Sequence, residues 1–342
     1  MLRAGERAYS YAKTCGIIGK SFVGKRITPL RGIRRLSDLD RLLFPETKQD
    51  LPEQELLVDL EARILQRSVG QIKTILGAFV KPPNLLVWLI RSYEYGDMKG
   101  VFNALVTGEA KSPGFTDIGR FRRVAFEAYP DVGAMVKGTE FEAFLKDLHL
   151  LPFTLGKSQS LSAVALQTKI DTLYYTALWK DLRALPKGER RASEHILSEE
   201  IALKNAVWAL RLRTYYGMSP EEIREKLIAP ESKAFLAPAE ALLSLPLDVR
   251  ADWLSWKYAS LLNPEKPHEQ WRADPRYLQN AASEYLYRLV HSSFRRRPFS
   301  LDSFFCFIKL KQFEENLLTS IAEGLGMGMA IQDVFTLLEI PS

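Results

Sequence analysis

Cysteine is almost missing from this 342-residue chain: Cys15 and Cys306 stand near its two ends, far from disulfide-scaffold or zinc spacing, so a reducing cytosol is the expected compartment. Histidine is scarce too. His149, His195, His268 and His291 include no pair three or four residues apart, so nothing supports a metal site built on one helix. Long apolar runs are absent. The strongest, NLLVWLI at 84–90, is bounded by Lys81, Pro82, Pro83 and Arg91 and falls short of the ~18 residues of a membrane span. Alternating β-branched runs closed by hairpin turns are nearly absent, which argues against a sheet. The opening MLRAGERAYSYAK has no apolar signal-peptide core. Its arginines suit a transit peptide, but Glu6 and the Tyr9, Ala12 spacing fit a first helix better.

Charge is plentiful and uneven. The net +6 lies in residues 1–50, which hold 11 Lys/Arg against 5 acids, while the remainder balances at 36 against 36. Such a segment could meet an acidic partner, anionic lipid or nucleic acid, or be a solvated basic face. No nucleic-acid motif accompanies it, so nucleic acid is not an expected partner.

Gly19-Lys20-Ser21 invites a phosphate-loop reading. That loop needs a glycine five residues before Gly19, so that backbone N–H groups can curl around phosphate, but Thr14 stands there. A second tripeptide, Gly156-Lys157-Ser158, has Leu151 in the same place. Neither predicts nucleotide binding. No G-x-S-x-G elbow or Cys–His signature occurs, and the carboxylates mostly sit beside Lys or Arg on helix faces, as in EEIREK at 221–226. No catalytic residue, cofactor, metal or small-molecule substrate is therefore expected.

Helical periodicity dominates. Leu56, Leu60, Ile64, Val69 and Ile72 share one face of 55–76. Leu203, Ala206, Val207 and Leu210 do so in LKNAVWALRLR, with Lys204, Arg211 and Arg213 outside. Leu310, Phe313, Leu317 and Ile321 form a third stripe opposite Lys311, Gln312 and Glu315. Ser219-Pro220-Glu221-Glu222 reads as a capped helix start, and Ser37-Asp38-Leu39-Asp40 as another. The stretches 151–162, 229–246 and 263–275 read as connections between helical units. The expected fold class is all-α.

Three helices recur at near-equal spacing. Lys99 opens KGVFNAL, Lys204 opens KNAVWAL and Lys311 opens KQFEENL, at intervals of 105 and 107 residues. Each lysine is followed by an apolar residue two places on (Val101, Ala206, Phe313) and leucine six on (Leu105, Leu210, Leu317). Gly108, Gly217 and Gly324 then read as C-terminal stops. So long a period implies repeated helical domains rather than a thin solenoid.

These segments carry a resemblance. EIALKNAVWALRLRTYYGMSPEEIREKLI resembles the central signature of the C-type subunit of V/A-type rotary ATPases, whose eukaryotic counterpart is the d-type subunit, through Glu200, Ile201, Asn205, Arg211, Gly217, Glu221, Glu222 and Ile223. Ala202 stands where that family usually has Asp. The C-terminal segment is similar through Lys311, Glu314, Asn316, Leu317 and Ile321, and YEYGDMKGVFNAL through Tyr95, Asp97 and Lys99, with Gly100 at a usual Asn. YSYAKTCGIIGKSF resembles the family's opening.

The resemblance implies three similar helical bundles with pseudo-threefold symmetry forming a funnel, with units at about 1–120, 121–232 and 233–342. It implies a non-catalytic part at the cytoplasmic face of the membrane, coupling central-stalk subunits of D and F type to the membrane rotor ring, with membrane contact only through that ring. Proton or sodium transport, or ATP synthesis, would be the work of the whole complex. Candidate partner-contact residues are Arg31, Arg34 and Arg35, Arg211 and Arg213, and Arg295, Arg296 and Arg297. Each has a plainer reading as a solvated or packed helix charge, and Tyr9 and Tyr11 read as core. A free-standing helical adaptor is the alternative; a soluble enzyme would need a deep pocket with perturbed titratable groups.

Overall fold

The computed structural model describes residues 4–46, 51–107, 112–150, 163–230 and 233–338, and within them every regular element is helical. Gly108, the connection 151–162 and the tripeptide at 156–158 lie outside the described residues. In chain order the helices are α1 (Ala4–Ile18), α2 (Leu36–Leu43), α3 (Glu53–Leu76), α4 (Asn84–Thr107), α5 (Val132–Val136) and α6 (Glu140–Asp147). They continue with α7 (Ala163–Arg183), α8 (Lys187–Tyr215), α9 (Pro220–Arg224) and α10 (Ala237–Ser244), then α11 (Pro275–Phe294), α12 (Leu301–Gly326) and α13 (Ile331–Leu337).

Local chemistry sets several of these limits. Glu53 and Glu55 in the first turn of α3 and Lys73 in its last complement the helix dipole. Helix α9 starts with a capping box. The Ser219 hydroxyl accepts from the Glu222 N–H, and the Glu222 carboxylate accepts from the Ser219 N–H at 2.8 Å. The start of α2 differs from expectation. Ser37 lies inside the helix, and Asp38 reaches back to the N–H groups of Arg34 and Arg35 at 3.2 and 3.1 Å. Beyond α8, Gly217 takes a φ of +60°, as a helix stop should. Gly324 does not stop α12: it lies within the helix, where a Cβ would come within 2.5 Å of Val334. The left-handed residue there is Gly328, with φ +77°. Nor is 229–246 merely connecting chain, since it contains α10.

The residues cluster into two compact units, each discontinuous in sequence. Unit 1 comprises 1–86, 187–196 and 276–342; unit 2 comprises 87–186 and 197–275. The chain therefore passes between them four times, within α4, just before α8, within α8 and at the start of α11. In unit 1 the core runs from Leu36, Leu39 and Leu43 through Leu56, Leu60 and Ile64 to Leu318, Ile321, Leu325, Val334 and Phe335. The α3 stripe is buried as its periodicity predicts. The core of unit 2 combines aliphatic residues such as Ile170, Leu203 and Leu210 with aromatic contacts. Tyr95 packs on Phe141 and Tyr174 with ring centroids 4.6 and 5.2 Å apart, and Trp179 meets Phe235 edge-on at 4.8 Å.

Candidate functional site

The Gly-Lys-Ser question resolves on backbone geometry. Residues 19–21 form the turn that follows the C-terminal end of α1, and their N–H groups donate to Cys15, Ile17 and Ile18 carbonyls at 2.8, 2.9 and 3.1 Å. A phosphate cradle needs free N–H groups at a helix N-terminus; these are spent, at the end of the helix where the dipole repels anions. Ser21 is buried, and its hydroxyl accepts from Lys311 Nζ at 3.1 Å.

Lys311 corrects the third stripe. It lies in the interior of unit 1, 1% exposed, and pairs with Glu314 at 2%. Glu314 also accepts the Phe22 N–H at 2.7 Å, so the pair pins the segment after α1 to α12. The half-buried residues here are Phe313 and Leu317, two members of the expected stripe. Burial pulls the Lys311 amine below its ordinary range and Glu314 opposes that fall.

Lys99 and Lys204, the other two recurring lysines, meet at one acid in unit 2. Asp171 on α7 takes Lys99 at 2.5 Å on Oδ1 and Lys204 at 3.4 Å on Oδ2. Around them the polar groups interlock. Arg91 on α4 is 3% exposed and lies between Glu94 and Glu140, and the Tyr95 hydroxyl donates to Glu140 at 3.0 Å. Glu94 accepts the N–H groups of Arg123 and Val124 at 2.5 and 2.7 Å. Burial raises the Glu140 carboxyl, but Arg91 and Tyr95 outweigh it and the net shift is downward. Burial, followed by the Glu140 charge, drives the Tyr95 phenol up, so neither is poised for proton transfer near neutrality.

Three further signature residues, Asn205, Glu200 and Asp97, are structural ties as well. Buried Asn205 donates to the Ile228 and Phe235 carbonyls at 2.7 and 3.2 Å and accepts the Ile228 N–H at 2.8 Å. Tyr175 donates to Glu200 at 2.9 Å. Asp97 accepts the Thr116 N–H and hydroxyl at 2.8 and 3.1 Å, and burial pushes its carboxyl up to about 6 against those bonds. Asp171, Glu94 and Glu140 escaped the sequence reading. Asp171 was the findable one, a lone acid beside Ile170, Tyr174 and Tyr175.

The arginines fall into two groups. Arg213 is committed internally, donating to the Leu242 and Leu245 carbonyls at 2.7 and 2.5 Å, and Arg211 is half-buried beside it in sequence. Arg31, Arg34, Arg35, Arg295, Arg296 and Arg297 are exposed in unit 1. Of these, Arg31 lies over the Phe335 ring at 5.7 Å, and Arg297 donates to the Gly188 carbonyl and stands 3.9 Å from Asp302. Tyr9 is 58% exposed rather than core, whereas Tyr11 packs against Phe294 and Phe299. Among the described residues no group of His, Cys, Asp and Glu could hold a metal ion, and no helix is long and apolar enough to cross a membrane.

A charged network spent on internal struts, at the positions that carry the resemblance, accords with comparison to known proteins. The family described as ATP synthase (C/AC39) subunit matches residues 45–333. The chain belongs to that family. Its members are structural subunits of V/A-type ATPase complexes, and this chain is a rotary-ATPase subunit of the C/AC39 kind. A protein of Treponema pallidum (strain Nichols), described only as uncharacterized, is 26% identical over 336 residues, spanning 94% of this chain and 93% of its own. The two departures from the C/AC39 signature differ in consequence. Gly100 has open space around the position of a Cβ, so adding one there would meet no obstacle. Ala202 is 3% exposed, and an Asp in its place would bury a carboxylate.

Proposed function

We propose that this chain is the non-catalytic socket of a V/A-type rotary ATPase. It sits at the cytoplasmic end of the membrane rotor ring and receives the tip of the central stalk, formed by D- and F-type subunits. The observation that carries this reading is the family match across residues 45–333. The recurring Lys99, Lys204 and Lys311 helices support three similar units about a pseudo-threefold axis, at about 1–120, 121–232 and 233–342. A funnel built that way would transmit torque from ATP hydrolysis elsewhere to the ring, or the reverse during synthesis, moving protons or sodium.

A torque-bearing coupler must resist shear, and buried ion pairs on neighbouring helices suit that task because displacing them exposes an uncompensated charge. Exposed Arg31, Arg34, Arg35, Arg295, Arg296 and Arg297 are the partner-facing residues in this reading, and Arg211 and Arg213 the weaker candidates. A firm contact on each side needs ~800 Å² per partner. Affinity-tagged chain isolated from gently solubilised membranes tests the proposal by mass spectrometry of what accompanies it. D- and F-type stalk subunits and the ring subunit are the expected companions. Recovery of the chain with none of them, from membranes that hold the assembled motor, would contradict it.

A further inference from the structure

Arginine stands at 26, 31, 34, 35 and 41, in a stretch whose only acids are Asp38 and Asp40. The fold sorts these arginines onto one side. Leu30, Ile33, Leu36, Leu39 and Leu43 all enter the core of unit 1, with Phe22 and Ile27 packed against it. A segment that sends roughly every third residue inward turns those between outward, and all the arginines named are exposed. Neither acid is paired with their side chains. Asp38 accepts from the backbone N–H groups of Arg34 and Arg35 at 3.2 and 3.1 Å, and Asp40, 4% exposed, pairs with Arg63 at 2.7 Å. The guanidinium groups of Arg26, Arg34, Arg35 and Arg41 make no ion pair among the described residues.

We infer that this arginine face rests on the headgroups of anionic phospholipid. A guanidinium donates in a planar fork that suits phosphate oxygens, and clusters of roughly four to eight Lys/Arg are drawn to an anionic leaflet. A protein partner fits the face less well. Protein interfaces surround an apolar centre with a polar rim, and charge is depleted at that centre. Here the cations occupy the centre. Leu42, 37% exposed beside Arg41, is the one large apolar side chain exposed among the described residues of 22–43. No unburied acid other than Asp38 is present to set a register, and headgroups in a fluid leaflet need none, since they move laterally to meet each cation. A lone leucine can enter the acyl boundary while the guanidinium groups stay level with phosphate. The face also precedes residue 45, where the family match begins. The inference goes beyond the socket reading, in which membrane contact runs only through the ring, and does not depend on it. It moves Arg31, Arg34 and Arg35 from protein to lipid and leaves Arg295, Arg296 and Arg297 facing a partner subunit.

Co-sedimentation of the full chain with vesicles is the test. Binding is expected to vesicles of phosphatidylcholine mixed with phosphatidylglycerol, not to phosphatidylcholine alone, and should weaken as salt rises. Arg34→Gln, Arg35→Gln and Arg41→Gln together should lower the partition coefficient by about thirtyfold or more, since each basic residue near such a surface is worth roughly fivefold. Glutamine keeps the backbone N–H groups that Asp38 accepts, so the start of α2 is preserved. Lys137→Gln, Lys180→Gln and Arg272→Gln, at exposed cations of unit 2, remove the same charge and should cost less than about threefold. Lysine at 34, 35 and 41 keeps the charge and should retain most of the binding. Should the first glutamine variant fail to fold by circular dichroism, Arg26→Gln with Arg41→Gln serves in its place, with a loss of about tenfold. No binding to the mixed vesicles, equal binding to neutral ones, or equal losses in the two charge-matched variants overturns the proposal. So does a lysine variant that loses as much as the glutamine one. A glutamine variant that keeps vesicle binding but no longer co-isolates with a partner subunit would assign the face to protein and overturn it as well. The vesicles hold neither ring nor stalk, so the outcome is separate from the fate of the socket reading.

Discussion

In unit 1, Lys311 and Glu314 stand three residues apart on one helix, 1% and 2% exposed, and tie it to the segment after α1. In unit 2, Lys99 and Lys204 come from two helices, share Asp171 on a third, and remain 26% and 42% exposed. All three lysines hold matching places in the recurring helices, so the motif does not dictate the environment. One is a sealed strut without a substitute. The other two form a redundant junction at the edge of solvent, where water offsets much of the loss of either.

Methionine at each lysine in turn makes that contrast a ranked measurement by denaturant unfolding. Lys311→Met strands a buried carboxylate and should cost about 3–5 kcal/mol. Replacing Glu314 by leucine as well should recover part of that, short of full recovery because the Phe22 N–H loses its acceptor. Lys99→Met should cost about 1 kcal/mol, since Lys204 still faces Asp171, and Lys204→Met less than about 0.5 kcal/mol. Equal losses at all three sites would break the distinction between strut and junction.

A smaller effect, again in unit 2, is one of pH. Asp97 holds its proton more tightly in the fold than its ordinary value of 3.8 implies, up to about 6. The folded state therefore binds more protons than the unfolded chain in that window, and stability falls as pH rises from about 4 to about 6. The loss should be about 1–2 kcal/mol, less than the full shift implies because the half-buried carboxyl is partly solvated. Asp97→Asn should flatten this slope while keeping an acceptor for the Thr116 N–H. An unchanged slope in thermal melts across that range would remove Asp97 as its source.

Much of the helical framework was legible because its signals are local. The α3 stripe, the Ser219–Glu222 capping box and the Gly217 stop each depend on residues within a turn or two, and each stands as read. What failed depends on tertiary packing, which the local pattern does not show. Lys311 reads as a polar face until Glu314 and Ser21 are seen to satisfy it; of the expected stripe, Leu310 and Ile321 are buried while Phe313 and Leu317 are half-buried. Gly324 reads as a stop until Val334 is found pressed against it. The arginines show the same limit. Arg213 and Arg295 both read as contact candidates, yet one is tied to two carbonyls and the other is open to solvent.

The claim that most needs direct trial is that this chain couples without catalysing. Motor complexes assembled with and without it, in vesicles of equal ring content, can be compared for ATP hydrolysis and ATP-driven ion uptake. The account predicts that omission leaves hydrolysis by the catalytic head and abolishes uptake, and that adding the purified chain back restores uptake. Full ion uptake in its absence would contradict the account.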